Sequence, residues 1–274
     1  AAGVGASDIG RRTGGGRRKF SGPIAKIPVP GNPHGASRRW PDRASLRMQR
    51  SLVNTPLLVI GNKNYSSWSL RPWLLLRHFG VAFEEVRLPL GTPAFAAAIG
   101  RYSPNGKVPV LHDGDVQVWD SLAICEYANE RWLDGGGWPR GLAARAIARA
   151  AAAEMHAGFA ALRTQLPMNS RRTPDGYRWD EAARYDIDRV LALWRQLRAG
   201  HGEGGEFLCG DFGIVDAMFA PVAIRFDGYG VDADPVGRHY MQALFALPAM
   251  QEWRAAAAVE PESLEATERL RRPL

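Results

Sequence analysis

The chain has 274 residues, of which 46% are hydrophobic, and a formal net charge of +7. That is enough apolar material for one large domain or two small ones. Residues 1–50 hold eleven Lys or Arg against two Asp, so this segment carries +9 and the rest of the chain −2. The uneven charge argues against nucleic-acid binding by the folded part. No run of eighteen apolar residues occurs, which excludes a membrane-spanning helix.

Residues 1–54 form a basic tail that is rich in Gly, Pro and Arg. It has no sustained apolar period and cannot bury enough surface to offset chain entropy, so we expect it to be disordered. Three interpretations stay open: an arm for an anionic partner, a targeting segment, or upstream sequence translated from a start site set too early. Because Met48 lies just before the first apolar run, the third is favoured.

The segment 55–134 predicts a small α/β domain, because short apolar strands alternate with helical patterns. In chain order, we expect a strand at 57–60, a helix at 68–79 closed by Gly80, a strand at 81–90, a helix at 92–104, hairpin strands at 107–111 and 116–119, and a helix opened by Asp120-Ser121 and ending at Leu133. This βαβαββα order fits one sheet with helices on its faces.

A glycine-rich linker, DGGGWPRG at 134–141, separates this segment from an all-helical one at 141–260. The helical stretches cover about 142–166, 178–199, 213–227 and 236–258, with a break near Pro248. No strand pattern appears there, so we expect an all-α domain packed on the first.

The two cysteines, Cys125 and Cys209, lie far apart in unlike contexts. Their spacing predicts neither a metal site nor a disulfide framework. A reducing, cytoplasmic location fits this cysteine usage.

Val108-Pro109 places a proline at the start of a predicted strand. Proline there is either an ordinary edge residue or part of a cis peptide bond. A cis bond would turn the Val108 amide and carbonyl outward, where a peptide-like ligand can pair with them.

Two polar pairs stand at predicted helix starts, and each is either a cap or a binding site. The free N–H groups of the helix that Asp120-Ser121 opens suit a carboxylate, and Asp120 can hold an ammonium group. Ser66 and Ser67 together with a helix N-terminus would lower the pKa of a nearby thiol. Since Trp68 follows the serines, the thiol would have to arrive on a ligand.

The stretches YSSWSLRPWLLL, NGKVPVL and DSLAICEYANE, in this order and before a helical segment, resemble the cytosolic glutathione transferases over residues 56–258. The likeness is to the bacterial serine-using, zeta-like classes. Arg71 keeps the arginine of the zeta motif, whereas Trp68 replaces its cysteine, which weakens an assignment as maleylacetoacetate isomerase. The resemblance implies a thioredoxin-like domain at 55–134 and an all-α domain at 141–260 that contributes the acceptor-substrate site.

The resemblance also implies roles for single residues. Ser66 matches the serine that hydrogen-bonds the glutathione sulfur, and Ser67 is the second candidate. The remaining glutathione contacts would come from Lys107 (glycyl carboxylate), Val108 before Pro109 (cysteinyl backbone), and Asp120 with Ser121 (γ-glutamyl end). Near the acceptor site we expect Met155, His156, Phe159, Arg163 and Met168, none of them named as catalytic. His156 is expected to be an ordinary helix residue.

In the helical segment, FGIVDAMFAPV at 212–222 resembles the family's N-capping box, with Asp216 reaching back and Gly213 where Ser or Thr is usual.

The implied function is a transferase, typical of detoxification, that activates glutathione as a thiolate for attack on an electrophilic small molecule. The outcome can be conjugation, isomerisation or dehalogenation, and no metal is needed. The alternative is a non-catalytic binding or regulatory protein on the same fold. The expected partners are glutathione, the electrophile and a second copy of the chain in a homodimer, without nucleic acid or membrane.

Overall fold

The computed structural model describes residues 55–268. The basic tail predicted at 1–54 lies outside the described residues, so that prediction stays open.

The first part of the fold is a thioredoxin-like α/β unit with the predicted element order. Its elements are β1 (Leu57–Ile60), α1 (Ser67–His78), β2 (Glu84–Arg87), α2 (Pro93–Ile99), β3 (Val110–Asp113), β4 (Val116–Trp119) and α3 (Ser121–Arg131). The four strands form one sheet in the order β2-β1-β3-β4. β1 pairs parallel with β2 and antiparallel with β3, and β3 pairs antiparallel with β4.

The second part is all-helical, as predicted. Its helices are α4 (Leu142–Ala157), α5 (Ala160–Gln165), α6 (Glu181–His201), α7 (Ile214–Tyr229), α8 (Pro235–Ala246), α9 (Pro248–Ala258) and the short α10 (Glu265–Glu268). The break expected near Pro248 separates α8 from α9. The single helix predicted over 142–166 is wrong, because Phe159 takes a left-handed conformation (φ 61°) and divides it into α4 and α5.

The core explains why α1 tolerates an almost continuous apolar sequence. Its buried residues include Leu70, Trp73 and Leu74, because the helix has sheet on one side and helices of the second part on the other. One cluster of buried side chains runs from Leu58 in β1 to Trp253 in α9. The Trp73 and Trp253 rings lie 5.1 Å apart, centroid to centroid. A helix buried on all sides is expected to be apolar all round.

Within residues 55–268, no helix is both long and apolar enough to cross a membrane. The same residues contain no group of three or more His, Cys, Asp or Glu side chains arranged to hold a metal ion. Cys125 is buried, Cys209 is partly buried, and both are free thiols.

Candidate functional site

The sheet register brings the three sequence motifs to one edge. Val59 pairs with Val110 in the β1–β3 ladder, and Val110 pairs with Trp119 in the β3–β4 ladder. The next residues outward are therefore the loop after Ile60, the Val108-Pro109 pair and the Asp120-Ser121 pair. Because antiparallel neighbours run in opposite directions, these three stretches leave the sheet at the same end.

Ser66 is the N-cap of α1. The backbone N–H of Ser69 donates to its hydroxyl oxygen (3.4 Å), and the Ser66 hydroxyl donates to Ser69 Oγ at 2.7 Å. Ser69 Oγ also accepts from the Gly61 amide at 3.1 Å, which ties the helix start to the end of β1. Ser67 is the first residue of α1 and is buried, and its hydroxyl has no hydrogen bond to another residue of the described chain.

The Val108-Pro109 peptide bond is cis, which is one of the two alternatives that the sequence left open. No hydrogen bond joins the Val108 amide or carbonyl to another residue in the range 55–268, so both remain available to a ligand. The turn before it is held by Ser103, whose hydroxyl donates to the Lys107 carbonyl (2.7 Å) and accepts from the Lys107 amide (3.0 Å). Lys107 itself is exposed at this edge.

Asp120 caps α3, with Oδ1 accepting from the amides of Leu122 (2.9 Å) and Ala123 (3.2 Å). Its backbone has φ 77°, a conformation that costs a non-glycine residue about 1–3 kcal/mol and is concentrated at functional sites. Ser121 is almost fully buried, and its Oγ accepts from Arg71 Nη1 at 3.3 Å. Because that lone pair is occupied by a cation, the Ser121 O–H is polarised toward donation to a second acceptor.

A fourth component is His156 at the end of α4, which the sequence analysis placed near the acceptor site but expected to be an ordinary helix residue. Its Nε2 lies 3.1 Å from Asp120 Oδ2, and its ring packs edge-on to Trp68 with centroids 5.3 Å apart. Burial lowers the pKa of His156, although Asp120 acts in the opposite sense. The sequence does hold a signal: His156 continues the i, i+4 row of Ala148 and Ala152, which are both buried.

Trp68 contacts residues of both parts of the fold. It is 36% exposed, and the guanidinium groups of Arg71 and Arg163 lie 4.2 and 4.8 Å from its ring centroid. Burial and the nearby Arg163 lower the pKa of Arg71 to about 9.

Arg163 and Arg225 donate hydrogen bonds to backbone carbonyls near this site. Arg163 donates to the carbonyls of Met155, His156 and Gly158, where α4 ends. Arg225 donates to the Leu166 carbonyl at 2.8 Å. By contrast, Nε and Nη2 of Arg71 are buried and have no hydrogen-bond partner among the described residues. Met155 and Met168 belong to the buried core.

Comparison with known proteins finds similarity to glutathione S-transferases. The family model of the glutathione S-transferase N-terminal domain matches residues 65–131. Glutathione S-transferase 1 of Dianthus caryophyllus is 30% identical over 174 residues, which cover 61% of this chain and 75% of that protein. Dichloromethane dehalogenase of Methylorubrum extorquens is 47% identical over 60 residues, 21% of each chain.

Solved structures share the fold. A glutathione transferase homolog from Burkholderia gl BGR1 with bound glutathione has a TM-score of 0.58 at 22% identity, over 74% of this chain and 98% of that one. The Tau class glutathione S-transferase from mango, Mangifera indica, has a TM-score of 0.57 at 22% identity, over 79% and 96%. With the fold shared and the Dianthus protein matched over three quarters of its length, this chain belongs to the glutathione S-transferase family.

Proposed function

We propose that this protein is a serine-type glutathione transferase, similar to the zeta-like classes, that ionises the thiol of bound glutathione at Ser66. The observation that carries the proposal is the Ser66 hydroxyl at the start of α1. Its oxygen already accepts the Ser69 N–H, and its proton is held by a neutral oxygen, Ser69 Oγ. A thiolate is a stronger acceptor than a neutral hydroxyl, so the Ser66 proton would turn to it when the ligand binds.

The other proposed contacts are assigned to the successive groups of the tripeptide glutathione. The free Val108 amide and carbonyl suit its cysteinyl backbone, because both ends of a peptide unit can pair there. The Ser121 hydroxyl and the positive end of the α3 dipole suit the γ-glutamyl carboxylate, and Asp120 suits the ammonium group. Lys107 is assigned to the glycyl carboxylate. Relatives crystallised with glutathione support this choice of ligand.

In the proposed reaction the thiol proton leaves to solvent and the thiolate attacks an electrophilic carbon. With an alkyl or aryl halide, a C–S bond forms, the carbon–halogen bond breaks and halide leaves. The local likeness to a dichloromethane dehalogenase supports halogenated compounds among the acceptors. Conjugation, isomerisation and dehalogenation share the thiolate step, whose contribution is thiolate supply and proximity. The homodimer and the cytoplasmic location stay predictions of the resemblance.

The test is ultraviolet difference absorption of bound glutathione across pH, with Ser66→Ala and Ser67→Ala as a matched pair. Free thiols titrate near ~8.5, so a thiolate band below about pH 8 in the wild type establishes the activation. We expect the band to be lost in Ser66→Ala and kept in Ser67→Ala. The reverse pattern would move the role to Ser67. No binding at millimolar glutathione would favour the non-catalytic alternative.

A further inference from the structure

The segment that follows α9 returns to the loop in front of the two serines. Glu260, two residues after the end of α9, places its carboxylate against the backbone of residues 61–66. Its Oε1 accepts from the Lys63 amide at 2.7 Å and its Oε2 from the Asn64 amide at 3.0 Å. Only 6% of the Glu260 side chain is exposed. A contact made across 197 residues of sequence thus fixes the loop that leads into α1.

These two hydrogen bonds matter because both donors are buried main-chain groups. A buried N–H left without an acceptor costs about 1–3 kcal/mol, and hydrogen bonds to a charged acceptor are the stronger kind. The turn they hold is short: the Ser66 amide donates to the Asn62 carbonyl at 2.8 Å, directly across Lys63 and Asn64. A shift of the two amides therefore changes the position of Ser66.

Two arginines also anchor the segment that carries Glu260. Arg87 makes a paired contact with Glu262 (3.0 and 2.9 Å) and lies 3.7 Å from Glu260. Arg171 donates to the carbonyls of Glu260 (2.8 Å) and Glu262 (3.1 Å). Anchors on the side chains and on the main chain together hold the Glu260 carboxylate in one place.

Tyr65, directly before Ser66, is held by the same assembly. Its hydroxyl donates to Glu268 at 2.6 Å and accepts from Arg171 at 2.7 Å. Glu262 also accepts from Asn62 Nδ2 at 3.1 Å. Contacts from 260–268 therefore reach four successive residues of the loop, 62–65. The next residue in the chain is the proposed thiol-binding serine.

We propose that Glu260 is a positioning residue for the glutathione site, holding the Lys63 and Asn64 amides so that Ser66 stays aligned at the start of α1. The proposal rests on the function proposed above. It assigns a role to the segment 260–268, which contacts the loop before Ser66. Loss of the Glu260 carboxylate should loosen the loop and make the Ser66 hydroxyl a poorer partner for the thiolate.

The direction in which the thiol pKa changes distinguishes a positioning role of Glu260 from a purely electrostatic one. Removing a negative charge near the site would favour a thiolate and lower the thiol pKa. Releasing the Ser66 hydroxyl would remove its stabilisation and raise the thiol pKa. In Glu260→Gln one carbonyl oxygen replaces two carboxylate oxygens, so it can no longer satisfy both amides in the same way. We expect the bound thiol pKa to rise by about one unit, which is a roughly tenfold smaller ionisation constant.

The experiment compares wild type, Glu260→Gln and Glu252→Gln in the full chain. Glu252 is a matched control, because it also joins the C-terminal helices to α1, through Arg77 at 3.0 Å, but at an exposed pair away from the loop. Two quantities are measured well below the melting temperature: the pKa of bound glutathione by ultraviolet difference absorption, and hydrogen exchange of the peptide covering 61–70. We expect Glu260→Gln alone to change both.

The outcomes are distinguishable. Unchanged exchange at 61–70 in Glu260→Gln overturns the proposal, whether or not the protein binds glutathione. Faster exchange with an unchanged or lowered thiol pKa also overturns it, since the contact then serves stability only. A wild type without a thiolate band refutes the proposed function and with it the positioning role, while the exchange data still show whether the loop depends on Glu260.

Discussion

His156 and Asp120 form a pair whose charge depends on pH. Burial keeps the pKa of the imidazole below its usual value, so His156 is neutral at pH 7 and donates a hydrogen bond to Asp120 Oδ2. The other Asp120 oxygen is occupied by the amides at the start of α3. While His156 is neutral, its hydrogen bond does not cancel the negative charge of Asp120, so that charge can pair with a ligand ammonium group. A protonated imidazole would compete with the ammonium group for that charge.

We therefore expect the affinity for S-methylglutathione, which has no free thiol, to fall in acid by roughly threefold to tenfold between pH 7 and 5, about 0.7–1.4 kcal/mol. In His156→Gln, where the amide donates but cannot be protonated, the decrease should be absent. Titration calorimetry at several pH values measures both. Equal pH profiles in the two proteins would contradict a role for His156. The lowered pKa of His156 affects folding in the same direction. Because the folded-state pKa lies below the unfolded value of 6.5, His156 contributes stability to the fold above pH 6.5, and this contribution is lost as the pH falls.

Residues that lie next to each other in the sequence were predictable, and residues that meet through folding were not. The Ser66 and Asp120 caps follow from local patterns at helix starts, whereas the sequence left the cis Val108-Pro109 bond as one of two alternatives. The contacts of His156 with Asp120 and of Glu260 with the Lys63 amide join distant segments. Helical spacing places His156 in a buried row of α4 but does not identify its partner, and no local pattern marks the Glu260 contact.

At the level of elements, the start of α7 explains an unusual residue in the capping box. Asp216 accepts from the Gly213 amide (2.9 Å) and the Leu208 amide (3.0 Å), as the sequence predicts for the first of these. Burial raises the pKa of Asp216 to about 7. Gly213 stands where Ser or Thr is usual because a Cβ there would lie 2.7 Å from the Gly137 carbonyl oxygen. The linker passes too close to the helix for any side chain.

We accordingly expect Gly213→Ser to destabilise the protein by about 1–3 kcal/mol, although serine is a good N-cap, because the added atoms overpack the contact with Gly137. Urea denaturation followed by circular dichroism measures the change. Gly100→Ser is the matched control, since a Cβ at Gly100, where α2 ends, meets no atom within 4 Å. A Gly213→Ser variant as stable as the wild type would show that the linker can move aside.

The division between α4 and α5 shows why element boundaries were harder to predict than element types. The sequence through 142–166 has continuous helical character, yet the helix stops at Gly158 and turns at Phe159. Arg163 makes this possible by donating to the Gly158 carbonyl at 2.9 Å and to two carbonyls at the end of α4. The break depends on a side chain folding back, which periodicity does not report.

At the scale of the whole molecule, the two parts share a core. Composition indicated two domains with a linker at 134–141, but α1 packs against α7 and α9 as well as against the sheet side. Trp73 of α1 and Trp253 of α9 meet edge to face at 5.1 Å, and both are fully buried. Because the buried side chains are continuous from Leu58 to Trp253, loss of either part exposes the core of the other.

We therefore expect Trp253→Ala to destabilise both parts together, by about 3–5 kcal/mol for the lost ring. Hydrogen exchange as a function of urea should show peptides from 57–87 and 181–201 losing protection at one shared midpoint, shifted equally by the variant. Trp253→Phe is the control: Trp253 Nε1 has no hydrogen-bond partner in residues 55–268, so phenylalanine loses only part of the ring and should cost much less. Separate midpoints, or a shift confined to 181–201, would mean that the sheet and the helices fold independently despite their common core.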